Sequence, residues 1–171
     1  MKYLVVSDNH GDREILVDIV EQRAEEMDVL FHCGDSELEA DDQLWESFYV
    51  VKGNCDFVRG YERVKIIDTG CDRVFLTHGH LYDVNMGLER LAYAAQEEEA
   101  TIILFGHTHC LGVEYVSNQL FLNPGSISQP RGKYRELPTY AIINSEDMRY
   151  EVTYYNRMHQ KQDELTIIIN K

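Results

Sequence analysis

The sequence has little positive charge, few prolines and no long apolar run. Against 30 aspartates and glutamates there are only 16 lysines and arginines, so the formal net charge of the 171 residues is −14. A surface this acidic disfavours binding to the backbone of long nucleic acids or to anionic membrane. A phosphate substrate is still compatible with it, because bound divalent metal ions can reverse the local field.

Cysteine is also scarce. The 4 cysteines include no Cys-x-x-Cys pair, and a chain with 44% hydrophobic residues can bury a core without disulfides, so we expect reduced thiols. The apolar run from Tyr3 to Val6 is interrupted by Ser7 and is far too short for a signal peptide or a membrane span. These features predict a cytoplasmic protein without a membrane partner. The absence of a linker-like segment predicts a single domain over residues 1–171.

Strand-like and helical patterns alternate in the first half of the sequence. Tyr3 to Val6 predicts a buried strand, and Asp12 is a suitable N-cap for a helix that runs to about Met27. Val29 to Phe31 predicts the next strand, so the chain begins with a β-α-β unit of a parallel sheet. Further strands are predicted at Phe48 to Val51, Val64 to Ile67, Arg73 to Leu76 and Thr101 to Phe105, with a helix at about Met86 to Glu98.

The second half has the pattern of antiparallel hairpins. Gly112 to Val116 and Leu120 to Leu122 flank one turn, Thr139 to Asn144 and Met148 to Tyr154 flank another, and Glu164 to Asn170 is a candidate last strand. Two packed mixed sheets with helices outside accommodate both halves, which is an α/β (α+β) fold.

Seven residues of metal-ligand type each follow the end of a predicted strand by one to a few positions. They are Asp8, His10, Asp35, Asn54, His78, His107 and His109. In open α/β sheets ligands bind outside the carboxyl ends of the strands, so these loops are predicted to converge. Carboxylate, amide and imidazole groups together suit divalent transition ions better than Mg²⁺ or Ca²⁺. Seven ligands are too many for one ion and suit two ions that share a bridging carboxylate, a centre that can clamp a phosphoryl group and activate a water.

Five short motifs in this order resemble those of the calcineurin-like metallophosphoesterases. They are Asp8-Asn9-His10, Gly34-Asp35, Gly53-Asn54-Cys55-Asp56, His78-Gly79-His80 and Gly106-His107-Thr108-His109, and Asn123-Pro124-Gly125-Ser126 extends the resemblance downstream. The short chain and the Gly-Asn-Cys-Asp variant most resemble the small bacterial and archaeal phosphodiesterases of that superfamily. The retromer subunit of eukaryotes shares their fold.

The resemblance implies a four-layer α-β-β-α sandwich with a dinuclear metal centre. It implies that Asp8, His10 and His109 bind the first ion, that Asn54, His78 and His107 bind the second, and that Asp35 bridges them. We expect two divalent ions per chain, with Mn²⁺ first and Ni²⁺, Fe²⁺, Zn²⁺ or Co²⁺ as alternatives. We also expect Asp35, Asn54 and His107 to act in catalysis. The implied reaction is hydrolysis of a small phosphodiester by a water that bridges the two ions.

One residue departs from the pattern of many superfamily members. They have a histidine after Gly-Asn that is thought to protonate the leaving group, and this sequence has Cys55 there. A thiol with a pKa of about 8.5 is a poorer proton donor near neutral pH than an imidazole, which disfavours monoesters more than activated diesters. His80 is an alternative acid, and Asp56 is expected to orient its loop. His32 is interpreted as structural or peripheral, and Arg131 is either a phosphate contact or a free surface arginine.

Two other functions are compatible with the sequence. A catalytically weak or inactive metal-binding scaffold of the retromer-subunit type would keep the fold and bind a protein, although every expected ligand position holds a competent ligand. A nuclease or nucleotide phosphatase of the same superfamily is the second, but the lack of a basic stripe disfavours long nucleic acids. The sequence is also compatible with a homo-oligomer. It does not specify the natural substrate or the physiological metal.

Overall fold

Eleven strands and two α-helices make up the regular structure of the computed structural model, which describes residues 1–171. The strands are Lys2–Val6 (β1), Val29–His32 (β2), Phe48–Val50 (β3), Val64–Asp68 (β4), Arg73–Thr77 (β5), Ile102–Leu104 (β6), Gly112–Val116 (β7), Gln119–Asn123 (β8), Thr139–Ser145 (β9), Arg149–Asn156 (β10) and Lys161–Asn170 (β11). The helices are Arg13–Arg23 (α1) and Glu89–Glu97 (α2). Neither these helices nor the short 3₁₀ turns are long and apolar enough to cross a membrane.

The strands form two mixed sheets. The first has the order β11-β10-β9-β1-β2-β3, in which β1, β2 and β3 are parallel and the other three strands are antiparallel to their neighbours. The second has the order β4-β5-β6-β8-β7, parallel in its centre and antiparallel at both edges. The predicted hairpins are present as β7–β8 and β9–β10, so the prediction of two mixed sheets is confirmed.

Three apolar clusters separate four layers. Alternate residues of β1 belong to different clusters, because successive side chains of a strand point to opposite faces. One cluster fills the space between the two sheets. α1 covers the outer face of the first sheet through Leu16 and Ile19, and α2 covers the outer face of the second through Leu91 and Ala95. The fold is therefore the α-β-β-α sandwich that the sequence predicted.

Both helices are shorter than predicted, for local reasons. α1 ends at Arg23 rather than near Met27, because residues 24–26 tighten into a 3₁₀ turn and Met27 is already extended, with φ −108° and ψ 142°. α2 begins at Glu89 rather than near Met86, because Gly87 has a φ of +151°, outside the helical region.

β11 is longer than predicted. It begins at Lys161 rather than Glu164, and its pairing with β10 shifts register between Val152 and Tyr154. Its first residues are polar and lie on the edge of the sheet, so no apolar alternation marks them as a strand.

Loops that follow parallel strands meet at one end of the sandwich. The Asp8 N–H donates to the Gly34 carbonyl at 3.1 Å, which joins the loops after β1 and β2. The Gly106 N–H donates to the His78 carbonyl at 3.1 Å, which joins the loops after β5 and β6. The two pairs touch across the sheets, since a Cβ built on Gly34 would lie 3.1 Å from the Cβ of His78. The predicted convergence of these loops is confirmed.

Candidate metal centre

Asp8 follows Ser7 in the loop after β1. One of its two carboxylate oxygens has no hydrogen-bond partner. The side chain is fully buried, and Oδ2 accepts a hydrogen bond from the Ser7 hydroxyl at 2.5 Å. Oδ1 is also buried and has no hydrogen-bond donor. Because an uncompensated carboxylate oxygen is costly to bury, this atom fits a bound cation. The φ of Asp8 is +56°, a left-handed conformation that costs energy in a residue other than glycine and is concentrated at functional sites.

Two imidazoles direct their Nε2 atoms to the same place as Asp8 Oδ1. His109 Nδ1 donates to the Gln129 carbonyl at 2.7 Å, and His10 Nδ1 donates to Glu37 Oε1 at 2.7 Å. Both Nε2 atoms therefore carry lone pairs when the rings are neutral. They lie 3.2 Å apart, and His109 Nε2 is 3.3 Å from Asp8 Oδ1. Three electron-pair donors that face one point have the chemistry of a transition-metal site.

A second group of donors adjoins the first through Asp35. His78 Nδ1 donates to the Cys33 carbonyl at 2.7 Å, which directs Nε2 toward Asn54 Oδ1 (3.1 Å) and Asp35 Oδ2 (3.3 Å). Burial opposes the charged form of both side chains, but their mutual attraction prevails. The pKa of His78 is consequently raised, and the pKa of Asp35 is held well below its usual range. The surroundings of Asp35 therefore favour a positive charge beside its carboxylate.

His107 and His80 lie beside His78. The ring centroids of His107 and His80 are 5.2 Å and 5.3 Å from that of His78. Burial lowers the pKa of both rings and the neighbouring His78 lowers it further, so both favour the neutral form that binds metal ions. His80 Nδ1 is buried without a hydrogen-bond partner, and the ring lies beside the site, as the alternative acid would have to.

The structure thus brings together all of the residues predicted as ligands. Asp8, His10, Asp35 and His109 each place one ligand atom within 4.8 Å of the others. His78 adjoins Asp35, and Asn54 and His107 lie beside His78. Carboxylate, amide and imidazole donors with an orphaned buried oxygen among them fit a centre for divalent ions.

Two glycines of the motifs are required because other groups approach them closely. A Cβ on Gly53 would lie 2.0 Å from Asp35 Oδ1, and a Cβ on Gly106 would lie 2.7 Å from Asp8 Oδ2. Any other residue would displace a predicted ligand, so the glycine before Asn54 and the glycine before His107 are needed on steric grounds.

Asp56 joins the loops after β2 and β3. Its Oδ2 accepts hydrogen bonds from the N–H groups of Asp35 (2.9 Å) and Gly53 (2.7 Å). Its Oδ1 accepts from the Glu37 N–H (2.7 Å) and from the Ser36 hydroxyl (3.1 Å). The interpretation of Asp56 as an orienting residue is confirmed.

His32 is structural, which is the first of the two roles that the sequence left open. It is fully buried, and its Nδ1 accepts the Gly34 N–H at 3.1 Å while its Nε2 lies 2.9 Å from Asn9 Oδ1. Burial lowers the pKa of His32 to about 4, so the ring is neutral and supports the loop before Asp35 through hydrogen bonds.

The partners that orient the ligand imidazoles were not found from the sequence. Glu37 belongs to an acidic stretch from Glu37 to Asp42 that has no regular spacing, and only its position two residues after Asp35 hints at a role. The carbonyl groups of Cys33 and Gln129 have no side-chain signature, because any residue supplies a carbonyl.

The chain matches the model of the calcineurin-like phosphoesterase superfamily domain over residues 1–148. YsnB of Bacillus subtilis, a probable metallophosphoesterase, is 38% identical over 165 residues, a match that covers 96% of each chain. The chain therefore belongs to the calcineurin-like phosphoesterase superfamily, a family of metal-dependent hydrolases of phosphate esters.

Two solved structures support the same fold. The crystal structure of a conserved uncharacterised protein from Streptococcus pneumoniae, a predicted phosphoesterase, is similar with a TM-score of 0.96 and 41% identity, over 99% of this chain and 97% of that one. Wild-type Vps29 of Entamoeba histolytica, solved in complex with Zn²⁺, gives a TM-score of 0.72 over 100% of this chain and 98% of that one. At 20% identity, the likeness to Vps29 concerns the fold alone.

Proposed function

We propose that the protein is a phosphodiesterase whose active site holds two divalent metal ions. The observation that carries the proposal is the convergence of His10 Nε2, His109 Nε2 and the unpartnered Asp8 Oδ1 beside Asp35. Asp8, His10 and His109 would hold one ion, Asn54, His78 and His107 the other, and Asp35 both. Mn²⁺ is the ion we expect first, before Ni²⁺, Fe²⁺, Zn²⁺ or Co²⁺.

When bound, the ions would polarise the phosphoryl oxygens and lower the pKa of a water near phosphorus. The protein itself holds the predicted ligands in fixed orientations. Backbone carbonyls fix the rings of His78 and His109, and the Cys55 N–H fixes Asp35 through a hydrogen bond of 2.7 Å to Oδ1. Such fixed partners keep the donors in place without reorganisation during the reaction.

The substrate reaches this centre from the side of Asn54. The Asn54 side chain is exposed and His107 is half-buried, whereas Asp8 and His78 are fully buried. A neutral His107 at this open side would hold its ion through one ring nitrogen and so help to place that ion where a phosphoryl oxygen arrives.

A diester is the preferred substrate because no imidazole stands at Cys55. The Cys55 thiol lies next to Asn54, whose amide donates to its sulfur at 3.3 Å. Monoesters with poor leaving groups depend on proton donation to the departing oxygen, and a thiol is a weak replacement for an imidazole in that role. Activated diesters depend on it less.

The alternative function, a metal-binding scaffold without catalytic activity, does not explain the backbone conformation at the predicted ligands. A protein that had lost its chemistry would have no need of left-handed backbone at five ligand positions. Positive φ angles occur at Asp8, His10, Asp35, His107 and His109. Strain retained at the predicted ligands favours an active site over a protein-binding surface.

The experiment that tests the proposal replaces the shared ligand. Asp35→Asn should lower Mn²⁺-dependent hydrolysis of bis(4-nitrophenyl) phosphate by about a hundredfold or more, because it removes the charge that both ions share. Asp163→Asn, at a side chain that is 84% exposed, is the matched control and should keep full activity. If Asp35→Asn retained the activity of the wild type while staying folded, the assignment would be wrong.

A further inference from the structure

The positive charges of this acidic protein are distributed unevenly. Of the 16 lysines and arginines, nine form ion pairs with carboxylates. The other seven make no ion pair. Lys2 is remote in sequence, and the remaining six lie in two short segments, as Lys52, Arg59 and Arg63 and as Arg131, Lys133 and Arg135.

Both segments border the candidate metal centre. The Arg131 N–H donates to the carbonyl of His109 at 2.9 Å, which attaches the 131–135 segment to a predicted ligand. The 52–63 segment contains Asn54, and the Arg63 carbonyl accepts a hydrogen bond from the hydroxyl of Thr77, the residue before His78 (3.4 Å). The two segments that carry the unpaired cations therefore adjoin the centre through different ligand loops.

The side chains of these residues are available to a ligand. Arg59, Arg63, Arg131, Lys133 and Arg135 are exposed and Lys52 is half-buried, and none of the six uses a side-chain nitrogen in a hydrogen bond within the protein. Glu136, which follows Arg135, forms no ion pair with it. Glu37, an exposed carboxylate beside the ligands, is occupied by His10 at 2.7 Å.

We propose that the 52–63 and 131–135 segments form a cationic rim that selects phosphodiesters with a second anionic group, such as a terminal phosphate, beside the scissile bond. This inference rests on the proposed function, because the rim is defined by its position around that centre. In a chain with a net charge of −14, a concentration of six of the seven unpaired cations in two segments beside the active site attracts an anionic substrate there. A singly charged diester would use the metal ions alone.

The test compares two esters that differ by one phosphate. They are thymidine 5′-(4-nitrophenyl phosphate) and the same compound phosphorylated at the 3′ oxygen. The site variant combines Arg131→Ala, Lys133→Ala and Arg135→Ala. The control variant combines Lys2→Ala, Arg90→Ala and Lys161→Ala, which are exposed residues outside both segments. Each variant removes three positive charges, so a change in net charge alone would affect both equally.

The wild type should show a kcat/KM about tenfold higher for the 3′-phosphorylated ester, a preference that 0.5 M NaCl reduces. The site variant should reduce the preference to about twofold or less and leave kcat/KM for the other ester within about twofold, and the control variant should keep the preference. Equal kcat/KM for both esters in the wild type, or an unchanged preference in the site variant, would overturn the proposal.

A binding measurement separates this proposal from the proposed function. If the wild type hydrolysed neither ester with Mn²⁺, the proposed phosphodiesterase activity would be wrong. Isothermal titration calorimetry with thymidine 3′,5′-bisphosphate then still tests the rim. Binding that weakens by about fivefold or more in the site variant and not in the control variant supports it. No binding, or equal binding by all three proteins, rejects it.

Discussion

The Nε2 atoms of His10 and His109 face each other at 3.2 Å, while the Nδ1 atom of each ring is occupied by a different acceptor. For His109 that acceptor is a backbone carbonyl, and for His10 it is the carboxylate of Glu37. Two lone pairs in this arrangement repel each other unless a cation lies between them. The two rings therefore have the same requirement for a cation, and only His10 depends on another side chain for its orientation.

Glu37 is expected to control metal affinity through His10. Glu37→Ala should weaken Mn²⁺ binding to the metal-free protein by about 10–100-fold, because partners of ligating histidines contribute to this extent. Glu37→Gln, which keeps an acceptor and loses the charge, should lie between the wild type and Glu37→Ala. Isothermal titration calorimetry measures both. The nearby exposed Glu39→Gln serves as a control, and wild-type affinity in Glu37→Ala would show that Glu37 has no such role.

Asp56 is expected to matter for stability as well as for the site. An asparagine there would turn an amide donor toward backbone N–H groups that now donate to the carboxylate. Asp56→Asn should therefore lower the free energy of unfolding by about 2–4 kcal/mol in urea titrations. Asp163→Asn should change it by less than about 0.5 kcal/mol. Equal stability of the two variants would contradict the importance of this hydrogen-bond network.

Cys55 is expected to limit hydrolysis of monoesters. Cys55→His would place an imidazole next to Asn54 and should raise the ratio of glycerol 2-phosphate to bis(4-nitrophenyl) phosphate hydrolysis several-fold, because the alkoxide leaving group of this monoester needs a proton. The exposed Cys71→His supplies the control for added histidine. If the ratio does not change in Cys55→His while metal binding is retained, the missing acid is not the reason for a diester preference.

His32 is expected to make stability fall as the pH falls. In the unfolded chain a histidine takes up a proton near pH 6.5, whereas burial keeps the pKa of folded His32 at about 4. The contribution of neutral His32 is therefore complete above about pH 6.5 and is lost as the pH falls through about 4. Over this range the loss amounts to about 3 kcal/mol.

The difference between wild type and His32→Asn isolates this effect from other titrating groups. Both proteins are unfolded in urea without metal at several pH values from 4 to 7. The stability of the wild type should decrease more steeply with falling pH than that of the variant. Parallel curves would show that His32 does not titrate in this way.

The predicted ligands could be found from the sequence because of where strands end. Asp8 and His107 each follow a short apolar strand, and parallel strands bring their carboxyl ends to one side of a sheet. The resemblance of the five motifs then assigned each residue to an ion. The layers could also be predicted from the sequence, since the continuous apolar run of β1 and the apolar face of α1 are properties of the side chains themselves.

What the sequence did not reveal depends on backbone geometry and on distant contacts. The Gln129 carbonyl reaches His109 across 20 positions, and a carbonyl is present at every residue. The start of α2 is set by the backbone at Gly87, and β11 begins with polar residues at an edge. The grouping of unpaired cations emerged only after the ion pairs of the other lysines and arginines were known.

The most direct test of the account is the metal content of the purified protein, measured by elemental analysis together with turnover. After Mn²⁺ addition and removal of unbound ions, about two transition ions per chain are expected, with hydrolysis of bis(4-nitrophenyl) phosphate faster than that of 4-nitrophenyl phosphate. Asp35→Asn should lose metal and turnover together. A wild-type protein that holds no metal under these conditions, or that hydrolyses the diester equally well in EDTA, would contradict the account.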